Sequence, residues 1–321
     1  MAWLQLSHND LDGIGCMLLG RQMGVKYSYP CSYDEKSKYY FKTVLSDFSY
    51  LFGVDVDGLL ITDINITPNF QEHLEAVLPS NISVISVDHH EDSIKEHDTF
   101  KIHHNTEICA TQIMFNLLKE KINVLRYTDF VEAVNAFDTW HFELSPFALD
   151  LQRIFYYYVF MEEKFKYVKW FQKLNDFIDL VQETPPTRDF KPTWYSNFLN
   201  LYENKKGPLI DPIIQGVKNV GGINVYTFSK NNFAPAFEIS VHALNVGVDN
   251  FVLIFEDDAT YTISLRTNSV DGPMLNEYAL QKDGGGHRNA ASFRIPLDNT
   301  LLAETLEEVS IFYNGGLKCD V

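Results

Sequence analysis

Positive charge is scarce in this chain. Its 321 residues hold 26 Lys and Arg against 43 Asp and Glu, a net charge of −17. Proteins that grip long nucleic acid hold its phosphates with a cationic surface, and this composition cannot supply much of one. An acidic protein can still act on phosphates where metal ions bring the positive charge. Cysteine is sparse as well. Cys16, Cys31, Cys109 and Cys319 lie far apart with no C-x-x-C pair, which argues against a zinc ribbon and a disulfide framework. No apolar run reaches the roughly 18 residues a membrane helix needs. The opening MAWLQLSHND has no basic segment and turns polar by Ser7, unlike a secretory signal. There is no internal repeat and no low-complexity tract. The expectation is a soluble cytoplasmic protein with no membrane partner.

What is present is an ordinary globular apolar content, 45% hydrophobic and 14% aromatic, enough for a sizeable core. The length suits roughly two domains of about 150 residues. Short apolar runs at 3–6, 58–62 (GLLIT) and 82–87 (ISVISV) each end at a polar or acidic residue. Such Val- and Ile-rich runs read as buried strands of a parallel sheet. Helical stretches at 15–23 and 69–78 alternate with them, predicting an open α/β sheet whose ligands bind at the carboxyl ends of the strands. Helices are predicted over 111–121 and 127–137, and a long, aromatic helical stretch over 146–182. The segment 183–192, ETPPTRDFKP, carries three prolines and marks a break. After Gly221-Gly222 a second α/β pattern begins, with strands at 223–228, 251–256, 260–266 and 291–295. The predicted division is therefore 1–182, a connecting segment 183–220, and a smaller second domain 221–321.

Acidic and imidazole side chains gather at the predicted strand ends. His8, Asp10 and Asp12 follow the first run with the spacing i, i+2, i+4, which in extended backbone places them on one side. Asp63 ends the second run, Asp88-His89-His90 the third, and Asp138 follows AVNAF. Singly each has an ordinary explanation, an aspartate as a helix cap or a histidine pair as packing. As an ordered set, carboxylates so placed need a cation to neutralise them. Mixed oxygen and imidazole ligands suit Mn²⁺, Fe²⁺, Co²⁺ or Zn²⁺ better than Ca²⁺. His103-His104 reads as structural, lying away from any predicted strand end, while His141 is close enough in sequence to Asp138 to support it. Downstream, Gly284-Gly285-Gly286-His287 reads as a glycine loop able to approach an anion, with Arg266 emerging from a predicted strand. The run Phe155 to Tyr158 invites base stacking, but helix packing explains it more simply. Trp170 and Phe171 read the same way.

The pieces SHNDLDG (Ser7–Gly13), TD (Thr62-Asp63), VDHHE (Val87–Glu91), NAFDTW (Asn135–Trp140), SLRTN (Ser264–Asn268) and GGGH (Gly284–His287) together resemble the DHH phosphoesterase superfamily, in its branch with a DHHA1 second domain. CATQIMFNLL (Cys109–Leu118) resembles the helix that follows the triplet in that family. Residues 141–220 match no motif of it. The resemblance implies an α/β, two-lobed protein with a parallel-sheet DHH domain and a smaller α/β DHHA1 domain. It implies two divalent ions, usually Mn²⁺, one on His8, Asp10 and Asp63, the other on Asp12, Asp63, His89 and Asp138. Asp63 would bridge them and serve catalysis, His90 would face the scissile phosphate, and Asp88 would orient an imidazole. Arg266, Gly284, Gly285, Gly286 and His287 would hold substrate. Two departures stand out: Asp283 occupies a position where the family often has glycine, and so does Ser292.

The implied activity is metal-dependent phosphodiester hydrolysis of short, nanoRNA-type oligonucleotides to mononucleotides, by a water activated between two ions. The acidic composition favours short substrates over long duplex nucleic acid. Hydrolysis of linear or cyclic dinucleotides and single-strand exonuclease action stay open, as does a homodimer. A pyrophosphatase would share the first domain but not the glycine–histidine segment. A non-enzymatic nucleotide-binding protein would be expected to have lost ligands, and none is lost here.

Overall fold

The apolar runs are strands, and each stops where its sequence turns polar. The computed structural model describes residues 3–31, 56–78, 80–91, 93–161, 167–228, 235–269 and 272–315. Cys319 and the side chain of Trp170 lie outside the described residues. The described chain divides into two compact units, Met1–Leu201 and Tyr202–Val321.

The first unit runs β1 (Trp3–His8), α1 (Leu11–Gln22), β2 (Tyr27–Cys31), β3 (Gly58–Thr62), α2 (Pro68–Val77), β4 (Ser83–Asp88), β5 (Phe100–His104), α3 (Ala110–Leu118), α4 (Thr128–Asp138), α5 (Ala148–Tyr156), α6 (Tyr167–Glu183) and α7 (Thr193–Gln215), the last running on into the second unit. Its five strands are all parallel in the order β2-β1-β3-β4-β5. Chain direction across the sheet reverses between β1 and β3, and open sheets bind ligands at that switch point. His8 closes β1 and Asp63 follows β3, so both stand there.

Both faces of the sheet are covered, which is why GLLIT is apolar without alternation. Leu59 and Ile61 join Leu4, Leu6, Phe70 and Leu74 on the face of α2, while Leu60 and Val87 join α1, α3 and α4 on the other. On the α1 face, β1 also carries Gln5 and Ser7, both buried. A chain of hydrogen bonds satisfies them. Ser28 Oγ donates to Gln5 Oε1, Gln5 Nε2 to Thr62 Oγ1, Thr62 Oγ1 to Ser7 Oγ, and Ser7 Oγ to the Gly13 carbonyl.

β2 and β5 were not predicted. Both are edge strands with poor strand sequences, YSYPC with a proline and FKIHH with three basic side chains, and edges tolerate both. The long helical stretch expected over 146–182 is instead α5, a π-helical turn at Tyr157–Met161, and α6. Its aromatic run packs inward: Phe155 meets Phe177 edge-on at 5.3 Å, and Tyr158 meets Phe198 likewise at 5.1 Å. Phe171 lies 6.0 Å from Tyr29. The proline-rich segment 183–192 joins α6 to α7.

The second unit holds the later part of α7, then β6 (Lys218–Val220), β7 (Ile223–Phe228), α8 (Ala236–Asn245), β8 (Asn250–Glu256), β9 (Thr260–Thr267), α9 (Leu275–Leu280), β10 (Gly285–His287), β11 (Ala290–Pro296) and α10 (Asn299–Tyr313). Its six-stranded sheet has the order β10-β11-β9-β8-β7-β6, with only β7 and β8 parallel. One face packs on α9 and α10, the other on α8 and the end of α7. Among the described residues no helix is long and apolar enough to cross a membrane.

Candidate metal centre

The carboxyl ends of β1, β3 and β4 and the last turn of α4 bring six of the predicted ligands together in two groups. His8, Asp10 and Asp63 form one, with ligand atoms all within 4.8 Å of one another; Asp12, His89 and Asp138 form the other on the same measure. Asp63 faces both. Its Oδ2 lies 3.6 Å from His8 Nδ1 and its Oδ1 3.4 Å from His89 Nε2. His89 Nε2 also stands 3.4 Å from Asp138 Oδ2 and 3.8 Å from Asp12 Oδ2. These gaps exceed a good hydrogen bond and suit donors arranged around a common ion. A further grouping of Asp63, Asp88 and His90 borders the first two.

The route to this arrangement differs from the expected one. His8, Asp10 and Asp12 are not on one extended segment, because β1 ends at His8 and α1 starts at Leu11. Asp10 is the N-cap of α1, accepting from the Gly13 amide at 3.0 Å, and it also meets His8 Nδ1 at 2.8 Å. A cap and a candidate ligand are therefore one residue. Gly13 is needed for space: a Cβ there would come within 2.0 Å of the His8 carbonyl oxygen. Asp12 sits in the first turn of α1, and its carboxylate accepts from the Ala110 and Thr111 amides at 2.9 and 2.8 Å. α3, whose own N-cap Cys109 supplies no side-chain bond, is thus capped by Asp12 across the interface. Asp63 has φ +54°, a left-handed conformation that costs a non-glycine residue strain and recurs at functional sites.

Asp138 ends α4, where the helix dipole disfavours a carboxylate. The helix stops just beyond it in a Schellman motif: His141 N–H bonds the Ala136 carbonyl and Trp140 N–H that of Phe137, with Trp140 at φ +62°. Trp140, in a position usually given to glycine, packs edge-on against Phe142 at 4.7 Å. His141 does not support Asp138. Its exposed ring pairs with Glu143 at 3.1 Å.

The imidazole that Asp88 orients is His90. Asp88 Oδ1 lies 2.7 Å from His90 Nδ1, leaving Nε2 as the other polar atom of the ring. The His103-His104 pair is at a strand end after all. His104 closes β5 opposite Asp88, and its Nε2 donates to the His90 carbonyl at 2.7 Å. Its strand, FKIHH, has too little apolar alternation to mark that end in the sequence. His103 is half-buried, and burial, then Lys101 and Lys121, lower its pKa.

Electrostatics show what the groups require. Burial first, then repulsion from Asp63 and Asp138, raises Asp12 well above the carboxylate range. Burial, only partly offset by His89, raises Asp138 to about 6. Burial works against protonated His8, yet Asp10 and Asp63 outweigh it and raise the ring to about 10. His89 moves the same way: burial opposes its charge, and Asp138, Asp63 and Asp12 overcome that. Asp12, Asp138, His8 and His89 therefore hold protons more tightly than usual, while Asp10 moves the other way, because His8 beside it outweighs burial. A divalent cation in place of those protons satisfies the same deficit, and the carboxylate–imidazole donor set fits Mn²⁺, Fe²⁺, Co²⁺ or Zn²⁺.

The remaining predicted residues belong to the second unit. The glycine segment is not a loop: Gly285 to His287 form β10, paired with β11. Gly284 donates its amide to the Ala279 carbonyl at 2.8 Å, so the fold already uses that donor. A Cβ on Gly284 would meet the Ser292 carbonyl oxygen at 2.2 Å, and one on Gly286, with φ +136°, the Ala290 carbonyl oxygen at 2.5 Å. These glycines are required by backbone approach within the hairpin. Asp283 has φ +56°, which accounts for the glycine expected there. Strand register places Arg266, Ala290 and His287 in one row across β9, β11 and β10. Burial lowers the Arg266 guanidinium's pKa, and among the described residues it forms no ion pair, bonding only the Leu265 carbonyl through Nη1. The Tyr313 hydroxyl accepts from the Arg266 amide and lies within bonding distance of the Arg266 and Phe251 carbonyls, wedged into the β8–β9 ladder.

The five-stranded parallel sheet in the order 2-1-3-4-5 carries, at its carboxyl end, the sequence pieces that resemble the DHH phosphoesterases, and the chain shares its fold with a solved DHH domain. Likeness to known proteins supports that superfamily. The chain is 23% identical, over 95% of its length and 97% of the relative's, to a 3′,5′-cyclic-nucleotide phosphodiesterase of Helicobacter pylori. It is 24% identical to oligoribonuclease NrnB of Bacillus subtilis over 43% of its length and 36% of that protein. Among solved structures, a pGpG-specific phosphodiesterase of Vibrio cholerae superposes with a TM-score of 0.60, at 14% identity, covering 99% of this chain and 100% of that one. The DHH domain of a member of the s1p family superposes at 0.64, with 14% identity and coverage of 97% and 86%. RecJ of Thermus thermophilus, in complex with Mn²⁺, superposes at 0.55, with 15% identity over 96% of this chain and 52% of RecJ. No protein-family model matches the chain.

Proposed function

We propose that this protein is a divalent-metal-dependent phosphodiesterase that hydrolyses short oligonucleotides of the nanoRNA type to mononucleotides. One observation carries the reading: the Asp63 carboxylate turns one oxygen to each of two carboxylate–imidazole groups. His8, Asp10 and Asp63 would hold one ion, and Asp12, Asp63, His89 and Asp138 the other. Bound ions would neutralise the carboxylates and the phosphate and lower the proton affinity of water. The RecJ structure with Mn²⁺ favours that ion here.

The chain's own residues do the rest. Burial works against the charged His90 ring, but Asp88 outweighs it and raises the pKa, which favours the form in which Nε2 can donate to the phosphate or the departing oxygen. Arg266 offers a half-buried guanidinium, paired with no carboxylate among the described residues, to a substrate phosphate. His287, in register with it, offers a second polar group, and Gly285 and Gly286 let the hairpin backbone come close. A long strand's phosphates would find little basic surface on a chain of net charge −17, so short substrates fit best, because affinity grows with the number of phosphates neutralised.

A second reading is hydrolysis of a cyclic nucleotide or a linear dinucleotide, favoured by the near full-length likeness to the Helicobacter pylori and Vibrio cholerae phosphodiesterases. Incubation of the Mn²⁺-loaded protein with end-labelled RNA and DNA from two to twenty nucleotides, beside a 3′,5′-cyclic nucleotide and pGpG, separates the two. Release of mononucleotides from the shortest RNAs is expected. Turnover of the cyclic nucleotide alone would replace the first reading with the second, and no turnover of any phosphodiester would reject both.

A further inference from the structure

Asp12 and Asp138 come from different helices, yet must stand close enough to share a ligand. Between them runs a path of hydrogen bonds through residues outside the two groups of candidate ligands. The Asp12 carboxylate accepts from the first two amides of α3, one to each oxygen. Thr111 adds a third bond, its hydroxyl donating to the Asp12 carbonyl at 2.6 Å. Gly15 makes room for it, since a Cβ there would lie 2.4 Å from Thr111 Oγ1. One residue earlier, the Cys109 amide donates to Asn135 Oδ1 at 2.9 Å. Asn135 lies on α4, three residues before Asp138. The path runs from Asp12 through α3 to Asn135 and along less than one helical turn to Asp138. Every polar group on it is buried: Asp12, Thr111 and Asn135 are 1%, 0% and 7% exposed.

We infer that Asn135, with Thr111, is a positioning residue that holds Asp12 and Asp138 at the spacing the second ion requires. This rests on the two-ion reading above. Because α3 amides hold both Asp12 oxygens, the lone pairs left to face His89 follow the position of α3. Asn135 ties that position to the helix bearing Asp138. Without it, the buried Cys109 amide loses its acceptor, and the start of α3 must shift to find another. The Asp12 carboxylate moves with α3, while Asp63 and His8, held on other strands, do not.

The test is a calorimetric titration of metal-free full-length protein with Mn²⁺, beside thermal melting of the same samples without metal. The native chain should bind two ions. Asn135→Ala should bind the first unchanged and the second about 10- to 100-fold more weakly, the range typical for losing a group that orients a ligand. Asn135→Asp keeps an acceptor for the Cys109 amide and should restore most of that affinity. A purely structural role would lower the melting temperature while leaving both affinities as in the native chain. That result, or equal weakening of both ions, would overturn the inference. If the native chain takes up no ion, the two-ion reading falls and this one with it. Should Asn135→Ala yield too little folded protein, Thr111→Val keeps the side-chain shape and removes one bond to Asp12. It should weaken the second ion alone, and unchanged binding would again overturn the inference.

Discussion

The two regions that carry the candidate site residues are built on opposite principles. At the switch point of the five-stranded sheet, four aspartates and two histidines crowd together, each distorting its neighbours' proton affinities. In the second unit the Arg266 guanidinium sits half-buried and, among the described residues, bonds only a backbone carbonyl. The first arrangement is costly until a cation arrives, so its residues stand or fall together. The second, if it receives a substrate phosphate as proposed, does so by simple electrostatics, and its residues should act almost independently. Crowded charge therefore implies large, coupled effects of substitution, and isolated charge implies modest, separable ones.

The contrast is most exposed at Asp63. Asp63→Ala should abolish phosphodiester hydrolysis and remove more than one ion's share of Mn²⁺, whereas Asp138→Ala should cost about one ion. Equal metal content in the two variants would show that Asp63 is not shared. His90→Ala comes next, with an expected loss of about 10²- to 10⁴-fold in kcat, the range for a general acid. Both ions should stay bound, and if they leave, His90 rather than His89 is a ligand.

Arg266→Ala should lower kcat/KM on a dinucleotide by about 10- to 100-fold, corresponding to a charged hydrogen bond of ~1.5–3 kcal/mol. A small chromogenic phosphodiester should suffer less, and the metal content should not change. Equal losses on both substrates would deny Arg266 a role as anchor. The smallest effect belongs to metal-free protein as pH changes. Asp138 is raised from 3.8 to about 6 in the fold, so the folded state holds its proton longer than the unfolded chain. Its contribution to stability is present below pH 3.8 and is lost as pH rises through about 6. The melting temperature of metal-free protein should thus carry a downward slope across that interval, and saturating Mn²⁺ should flatten it. An unchanged slope with Mn²⁺ would place the ion elsewhere.

The crowded end was also the more legible in sequence. Charged residues directly after buried apolar runs are conspicuous, and all six predicted ligands lie at the carboxyl end of one sheet. What the motif spacing could not reveal was the backbone path. His8, Asp10 and Asp12 looked like alternating residues of one strand, but a helix begins between them and Asp10 serves as its cap. His104 was read as remote because a five-residue edge strand with basic side chains has no periodicity to betray it. Thr111 and Asn135 were present in quoted motifs, yet their bonds span 99 and 26 positions and depend wholly on helix packing. In the second unit Gly285 and Gly286 lie in a strand, not a loop. Their spacing suggested a loop for an anion, whereas a Cβ on Gly284 or Gly286 would strike backbone atoms of the paired strand.

The buried hydroxyl and amide chain from Ser28 through Gln5, Thr62 and Ser7 to Gly13 has a consequence for how the protein opens. A sheet of purely aliphatic strands can breathe or slip by degrees, since one methyl contact substitutes for another. Here, sliding β1 by one residue would turn Gln5 and Ser7 to the opposite face and strand their partners without water. Intermediate registers are thereby made unfavourable, and β1 and β3 should part only when the whole unit unfolds. Amide hydrogens of Leu6 and Ile61 should then exchange at the slowest, global rate, even in protein stripped of metal, while the edge strand β5 exchanges by local opening.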